Sequence, residues 1–201
     1  IADTVRPRLD AIGADIRRVF RVEAKRSLRT RQKRAISLLD VDVLRAAIRQ
    51  YQARLVVIDP VQAFIGGANI DMNNRQHVSL VLSDIGELAK ECDTAFLLLM
   101  HLNKGARDRT LDKVTGSGEF TSKVRSVLMV GRDPNNPNIR VMAQEKMSVA
   151  KEGTSIRFSL DNGSFEWAGT STVTATEMLQ PDAIHNERRS KLSEAKDWLK
   201  E

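Results

Sequence analysis

Two unbroken apolar runs, separated by a segment of helical periodicity, constrain the fold of this chain more than any other feature. Leu55 to Ile58 and Ala95 to Met100 contain only apolar residues, a pattern typical of strands covered on both faces. Between them, the apolar residues of 74–91 recur at the spacing of one helix face. Strand, helix and strand in this order predict a βαβ unit with parallel strands, and the fold class is therefore α/β.

The residues before this unit are predicted to form two helices, one strand and a basic loop. Apolar residues share one helical face over residues 4–12, and a short strand is expected at residues 19–22. Residues 25–34 are rich in Lys and Arg and poor in apolar residues, so we expect a solvated loop there. Asp42 is predicted to cap a helix that runs to about Tyr51.

The second half of the chain changes to an antiparallel pattern. A third apolar strand is predicted at Ser126 to Val130, and the Pro- and Asn-rich segment 134–138 predicts a turn. Residues 139–144 should then return antiparallel to it. Alternating apolar residues predict a second hairpin over residues 156–167, with Asp161 to Ser164 at its turn.

Composition limits the class of protein. Hydrophobic residues make up 41% and charged residues 29% of the chain, which is typical of a globular protein. No run approaches the roughly 18 apolar residues of a transmembrane helix, so we expect no membrane association and a cytoplasmic location. The net charge of +6 suits a polyanionic partner, although an isolated fragment can be basic without binding nucleic acid. An aromatic content of 4% indicates that nucleic-acid contacts are mainly to the backbone.

Polar residues follow both apolar strands. Asp59 comes directly after the first and His101 after the second, and open α/β sheets bind ligands outside the carboxyl ends of their strands. An aspartate there is suited to hold Mg²⁺ at nucleotide phosphates, but a strand that simply ends in a capping aspartate fits the same pattern. His101 is either a structural or exposed histidine or a group that contacts a γ-phosphate or the attacking water.

Two basic residues of the antiparallel half also permit two interpretations. Arg125 begins the third strand and Lys146 ends the strand that follows. Each is either packed along its stem with a hydrated tip, or presented to the phosphates of a neighbouring subunit. Spacing alone does not decide between these interpretations.

The order of these motifs resembles that of RecA-fold P-loop ATPases of the RepA-like replicative helicase group, an AAA-25-type ATPase. The matching segments are Leu55 to Pro60, Met100 to Lys104, Gly116-Ser117 and Arg125 to Val127. The opening residues 3–15 are similar to the segment that follows the catalytic glutamate in that group. The resemblance runs from residue 3 to about residue 170, and it implies a RecA-like core with a mainly parallel central sheet flanked by helices, ending in antiparallel hairpins.

The resemblance also implies roles for individual residues. Asp59 corresponds to the Walker B aspartate that holds Mg²⁺ with ATP, and His101 to the residue that senses the γ-phosphate. Arg125 corresponds to an arginine finger acting in trans, with Lys146 beside it at the interface of a homo-oligomeric ring, expected to be a hexamer. The loops facing a channel for single-stranded DNA would supply four basic residues. These are Lys104, Arg107, Arg109 and Lys113.

The chain departs from the family pattern at the phosphate-binding loop. No G-x-x-x-x-G-K-[ST] segment occurs in the 201 residues, and Gly116 to Lys123 is only superficially similar because Val124 stands where the hydroxyl residue is needed. We therefore expect residues 1–170 to be a partial core without its Walker A portion and 171–201 to be a linker and the start of a truncated helix. The polypeptide as given is expected not to hydrolyse ATP.

Three functions remain open at this point. The first is the carboxyl-terminal portion of an ATPase that couples ATP hydrolysis to binding or unwinding of single-stranded DNA in plasmid or phage replication. The second is a catalytically inactive RecA-fold scaffold or DNA-binding module. The third is a regulatory ATPase of the circadian or signalling type, which would have little affinity for DNA.

Overall fold

The computed structural model describes residues 4–22, 25–26, 33–34, 36–65, 70–71, 74–101, 118–161 and 163–179. The chain divides into two compact units. One consists of residues 17–124 and contains the predicted βαβ segment. The other combines residues 1–16 with residues 125–201 and contains the predicted hairpins.

The unit formed by residues 17–124 is built around a pair of parallel strands. Strand β3 (Leu55–Ile58) pairs with β4 (Ala95–Leu98), with Leu55 opposite Ala95 and Ile58 opposite Leu98. The other elements of the unit are a 3₁₀ helix, two short strands and four α-helices. They are Ile16–Arg18, β1 (Lys25–Arg26), β2 (Lys33–Arg34), α2 (Val41–Tyr51), α3 (Val61–Ile65), α4 (Arg75–Glu91) and α5 (Glu119–Lys123).

Helix α4 supplies the largest share of this unit's core. The Asn74 side chain caps it by accepting hydrogen bonds from the backbone N–H groups of Gln76 and His77. Five apolar residues of one face are buried against α2, β3, α3 and α5. They are Val78, Val81, Leu82, Ile85 and Leu88. The prediction of a crossover helix over residues 74–91 is therefore confirmed to within one residue.

The expectation that both faces of the parallel sheet are covered is wrong for the described residues. Ile58 is buried, but Leu55 and Val57 on β3 are 56% and 49% exposed. Leu97 and Leu99, in and directly after β4, are 42% and 39% exposed. The helices of this unit pack on one face of the two-stranded sheet, and alternate side chains point to the opposite face.

Three local predictions for the first half also need correction. Residues 19–22 form no strand, because Phe20 stacks on Tyr51 with ring centroids 4.0 Å apart instead of entering a ladder. The ends of the predicted basic loop pair as β1 and β2, with Lys25 opposite Arg34. The residue at the amino-terminal cap of α2 is Asp40, while Asp42 lies in the first turn and pairs with Arg45.

The other unit contains a four-stranded antiparallel sheet in the order β5-β6-β7-β8. Its strands are β5 (Ser126–Asp133), β6 (Asn136–Met147), β7 (Ser155–Asp161) and β8 (Ser164–Ser171). Helices α1 (Val5–Ala11) and α6 (Ala175–Leu179) complete the unit. Both predicted hairpins are confirmed, but the strands extend further into the turn at residues 134–138 than the Pro and Asn residues indicated.

One face of this sheet forms the core of its unit. Met129, Val141 and Ala143 are 5%, 0% and 1% exposed. Gly131 lies on the same face and permits a close approach of Met178 from α6, since a Cβ at Gly131 would lie 3.2 Å from the Met178 sulfur. Buried Asp133 forms an ion pair with Arg157 at 3.3 Å.

The observed fold is thus mixed α/β, as predicted, but its sheets differ from the predicted arrangement. Within the described residues the parallel sheet has two strands, and the predicted third strand at Ser126 belongs to the separate antiparallel sheet. None of the helices in the described part of the chain is long and apolar enough to cross a membrane. The expected boundary near residue 170 stays a prediction.

Replacement of Leu88 by Ala should destabilise the unit around α4. Leu88 is 1% exposed, so its truncation leaves a cavity and should lower the free energy of unfolding by about 2–5 kcal/mol. Leu80 lies on the same helix but is 66% exposed, and Leu80→Ala is the matched control. Urea denaturation followed by circular dichroism measures both changes. Equal effects of the two substitutions would contradict the assigned buried face.

Candidate functional site

Asp59 and His101 lie at the same edge of the parallel sheet. Asp59 follows the last residue of β3 directly, and His101 is three residues beyond the end of β4. Because the two strands are parallel and in register, their carboxyl ends coincide. Both side chains are exposed. The structure therefore places at one sheet edge the two polar residues that follow the strands in sequence.

Backbone hydrogen bonds fix the chain on both sides of Asp59. The Leu99 N–H donates to the Ile58 carbonyl oxygen at 2.9 Å, so the pairing continues one residue beyond β4. The Leu99 carbonyl oxygen in turn accepts from the Val61 N–H at 2.9 Å, where α3 begins. The Asp59–Pro60 peptide between these points is cis. The Asp59 carboxylate is thus carried by a short connection that is held at both ends.

Gln62 is a candidate residue that the sequence patterns did not identify. It lies on α3, three residues after Asp59, and its side-chain oxygen Oε1 is buried with no hydrogen-bond partner among the described residues. A buried amide oxygen without a partner carries a desolvation cost, which a donor supplied by a ligand or a water would offset. In the sequence, Gln62 is recognisable only as the single polar residue of the apolar segment Val61–Ile65.

Arg125 and Lys146 lie in the other unit, at one end of the β5–β6 hairpin. Ser148 N–H donates to the Arg125 carbonyl oxygen at 2.9 Å, and Lys146 stands opposite Val127 beside a register shift. Arg125 is exposed and Lys146 is half-buried. The hairpin therefore places these two basic residues at the same end of β5 and β6.

Glu145 directly precedes Lys146 on β6. Burial, together with the negative charge of Glu152, raises the pKa of the Glu145 carboxyl above its usual value of 4.5. The loop that carries Glu152 folds back on β6, where the Gly153 N–H donates to the side-chain oxygen of Gln144. The Glu145 carboxyl is thus held in a partly desolvated position on β6.

Several predicted site residues lie outside the described residues. These are Lys104, Arg107, Arg109, Lys113, Gly116 and Ser117. Gly118 is described and stands immediately before α5, and Phe120 of that helix is 3% exposed in the core. The Arg75 guanidinium lies 3.6 Å from Glu119 on the same helix. Phe120 thus joins α5 to the core beneath α4.

The residues at the sheet edge fit a magnesium ion bound with a nucleotide. Asp59 offers an exposed carboxylate, and Mg²⁺ prefers oxygen ligands and usually binds proteins through one or two carboxylates together with substrate phosphates. In the ranges that the structure describes, no group of three or more His, Cys, Asp and Glu side chains is placed to hold a metal.

Comparison with known protein families gives one match. A family model described as an AAA domain, AAA_25, matches residues 2–107, which is more than half of the chain. The matched residues include the β3–β4 pair, helix α4 and both Asp59 and His101. Arg125 and Lys146 lie outside the match. No curated protein matches the chain.

Glu145→Gln should stabilise the folded protein, and this gain over the unchanged protein should be larger at neutral pH than at acidic pH. Because the pKa of Glu145 is raised by folding, the unfolded state loses this proton first as the pH rises, and stability falls through that range. The amide removes this loss. Urea midpoints compared at about pH 4 and about pH 7 measure the difference.

Glu152→Gln provides a graded second variant. It removes the smaller, electrostatic cause of the shift and leaves burial unchanged, so it should give a smaller gain of the same sign. A Glu145→Gln variant whose relative stability does not change with pH would show that this carboxyl does not titrate differently in the folded protein.

Proposed function

Because the chain belongs to the AAA_25 family of AAA domains, which are nucleotide-binding domains of the ATPase type, we propose that the intact protein is a RecA-like, RepA-like ATPase. It couples ATP hydrolysis to the binding or unwinding of single-stranded DNA in plasmid or phage replication. The observation that carries the proposal is the in-register parallel pair that ends in Asp59 and His101 at one sheet edge.

Asp59 is assigned the role of magnesium ligand in this proposal. Its connection is fixed by the hydrogen bonds of Leu99 and Val61, so the carboxylate needs little rearrangement when the metal and ATP bind. A magnesium ion held by Asp59 would neutralise negative charge on the nucleotide phosphates. His101 lies at the same edge and is assigned the contact with the γ-phosphate or the attacking water.

Arg125 and Lys146 are assigned to the contact between subunits. An arginine that contacts the transferred phosphoryl group from a neighbouring subunit stabilises the charge of the transition state. Both basic residues lie at the same end of β5 and β6, which supports a shared role. In this proposal the subunits form a ring, taken to be a hexamer, with each hairpin end directed to the next subunit's nucleotide.

The DNA contact is assigned to basic residues that follow β4. They are Lys104, Arg107, Arg109 and Lys113. The support is electrostatic, since a chain of net charge +6 attracts a polyanion and four cations within ten residues suit a sugar-phosphate backbone.

A catalytically inactive scaffold or DNA-binding module is the second candidate. Its support is the net charge of +6, which suits a polyanionic partner whether or not ATP is hydrolysed. ATP turnover by the full-length protein separates the two candidates. A full-length protein that binds single-stranded DNA but does not hydrolyse ATP would support the scaffold.

Asp59→Ala should abolish ATP hydrolysis by the full-length protein. Loss of the metal ligand should reduce kcat by at least about a hundredfold, in line with the loss of other preorganised electrostatic groups. Asp93→Asn is the matched control, because Asp93 is also exposed but precedes β4 at the opposite end of the sheet. Unchanged turnover in Asp59→Ala would remove Asp59 from the site.

Replacement of the four basic residues after β4 by Gln should lower the affinity for single-stranded DNA. It should also make that affinity less dependent on salt concentration. Each lost phosphate contact should reduce the slope of log K against log salt by about 0.7. Fluorescence anisotropy with a labelled oligothymidylate measures this slope. Arg49→Gln with Arg54→Gln is the control, since both side chains are exposed elsewhere in the same unit. A slope equal to that of the unchanged protein would contradict the assignment.

A further inference from the structure

The antiparallel sheet has an open face opposite the one that packs against α6. Side chains alternate along its strands, so residues between the buried Met129, Val141 and Ala143 point to the other side. On that side the apolar residues remain largely accessible. Leu128 is 47% exposed, Val130 57%, Leu160 53% and Trp167 64%. Grouped exposed apolar residues of this kind are one feature of binding surfaces.

The strand register places two arginines and two aromatic residues in one row across all four strands. Arg132 on β5 stands opposite Arg140 on β6, Arg140 stands opposite Phe158 on β7, and Phe158 stands opposite Trp167 on β8. Phe165 lies beside this row, opposite Leu160. We call Arg132, Arg140, Phe158, Phe165 and Trp167 the aromatic face.

The aromatic residues of this face support one another. The ring centroids of Phe165 and Trp167 are 4.7 Å apart at an angle of 89°, and those of Phe158 and Phe165 are 5.2 Å apart. Phe158 and Trp167 are also in edge contact at 6.2 Å. Such edge-to-face contacts fix the orientation of an indole while most of Trp167 remains exposed. The cluster is therefore a rigid apolar platform with an accessible ring.

The two arginines of this face are suited to bind an anion. Directly opposed like charges destabilise a strand pair, yet Arg132 and Arg140 are neighbours across β5 and β6. The Arg140 guanidinium donates to the carbonyl oxygens of Pro137 and Ile139, which holds it at the rim. No ion pair with a carboxylate of the described residues involves Arg132 or Arg140. An anion placed between these guanidinium groups would offset their repulsion.

We propose that the aromatic face binds single-stranded nucleic acid, with a base stacked on Trp167 and the adjoining phosphates at Arg132 and Arg140. Proteins that bind single strands without sequence preference combine aromatic side chains, on which bases stack, with cationic groups that contact the phosphates. A second copy of the chain is a poorer occupant, since a symmetric pairing through this face would add two more arginines to the same patch. This site uses residues other than Asp59 and His101 and does not depend on ATP hydrolysis.

The low aromatic content of the chain does not count against this site. Six Phe, two Trp and one Tyr are present in the whole sequence, and three of them meet on one sheet face. Stacking requires a few rings in the right place, and the fold concentrates them there.

The test uses the full chain with Trp198 replaced by Phe, so that Trp167 is its sole tryptophan. An oligothymidylate of about 20 nucleotides should quench the Trp167 fluorescence. Trp167→Ala should weaken binding of this oligonucleotide by about fivefold to a hundredfold, and Trp167→Phe should restore most of the loss. Leu80→Ala is the matched control, since Leu80 is 66% exposed and Trp167 64%.

A second probe separates stacking from charge. An abasic oligonucleotide of the same length has the same phosphates but no bases, so Trp167→Ala should leave its affinity unchanged. Arg132→Gln with Arg140→Gln should weaken both probes and reduce the salt slope by about 0.7 for each phosphate contact. The four substitutions after β4 should leave the Trp167 quenching intact, which distinguishes this site from the DNA contact of the proposed function.

Two results would overturn the proposal. In the first, the oligothymidylate binds but neither quenches Trp167 nor responds to Trp167→Ala. In the second, sedimentation shows that the unchanged chain self-associates and that Trp167→Ala makes it monomeric with no change in oligonucleotide affinity. The second result would assign the aromatic face to contacts between copies.

Discussion

The in-register parallel pairing of β3 with β4 is the constraint on which the unit around it depends. Two adjacent parallel strands cannot be joined by a tight turn, so the chain must cross over the sheet, and helix α4 provides that crossover. The five buried residues of α4 cover one face of the pair and fix its position. The two strands begin and end together. Asp59 and His101, which follow them, therefore lie at the same sheet edge even without a contact between the two side chains.

Among the described residues, the parallel sheet and the four-stranded antiparallel sheet each have one exposed face, and these faces differ in chemistry. The exposed face of β3 and β4 presents aliphatic side chains such as Leu55, Val57 and Leu97. These side chains carry no charge or hydrogen-bonding group that could select a partner. The aromatic face adds guanidinium groups and a supported indole, which together discriminate in favour of an anion with planar bases. Exposure alone therefore carries no functional inference, while exposure joined to charge and ring geometry does.

Local periodicity predicted much of the fold. Strand β3 has the predicted bounds, and α4 begins one residue after its predicted start because Asn74 caps it. Prediction failed where stability comes from contacts distant in sequence. Phe20 and its apolar neighbours have the composition of a strand, but Phe20 stacks on Tyr51, thirty-one positions away. Helix α3 was missed because five residues, Val61–Ile65, are too few to show a helical period.

The candidate site residues also divide into those predictable from local sequence and those that depend on distant contacts. Asp59 and His101 follow from strand ends, which are local signals, whereas the aromatic face depends on register. The Asp161–Ser164 pair closes the last hairpin, with Gly163 at φ 84°, and this closure sets Leu160 opposite Phe165 and Phe158 opposite Trp167. A slip of one residue would send one strand's rings to the other side of the sheet. The turn residues thus determine whether the three rings meet, although none of them touches a ligand in the proposed site.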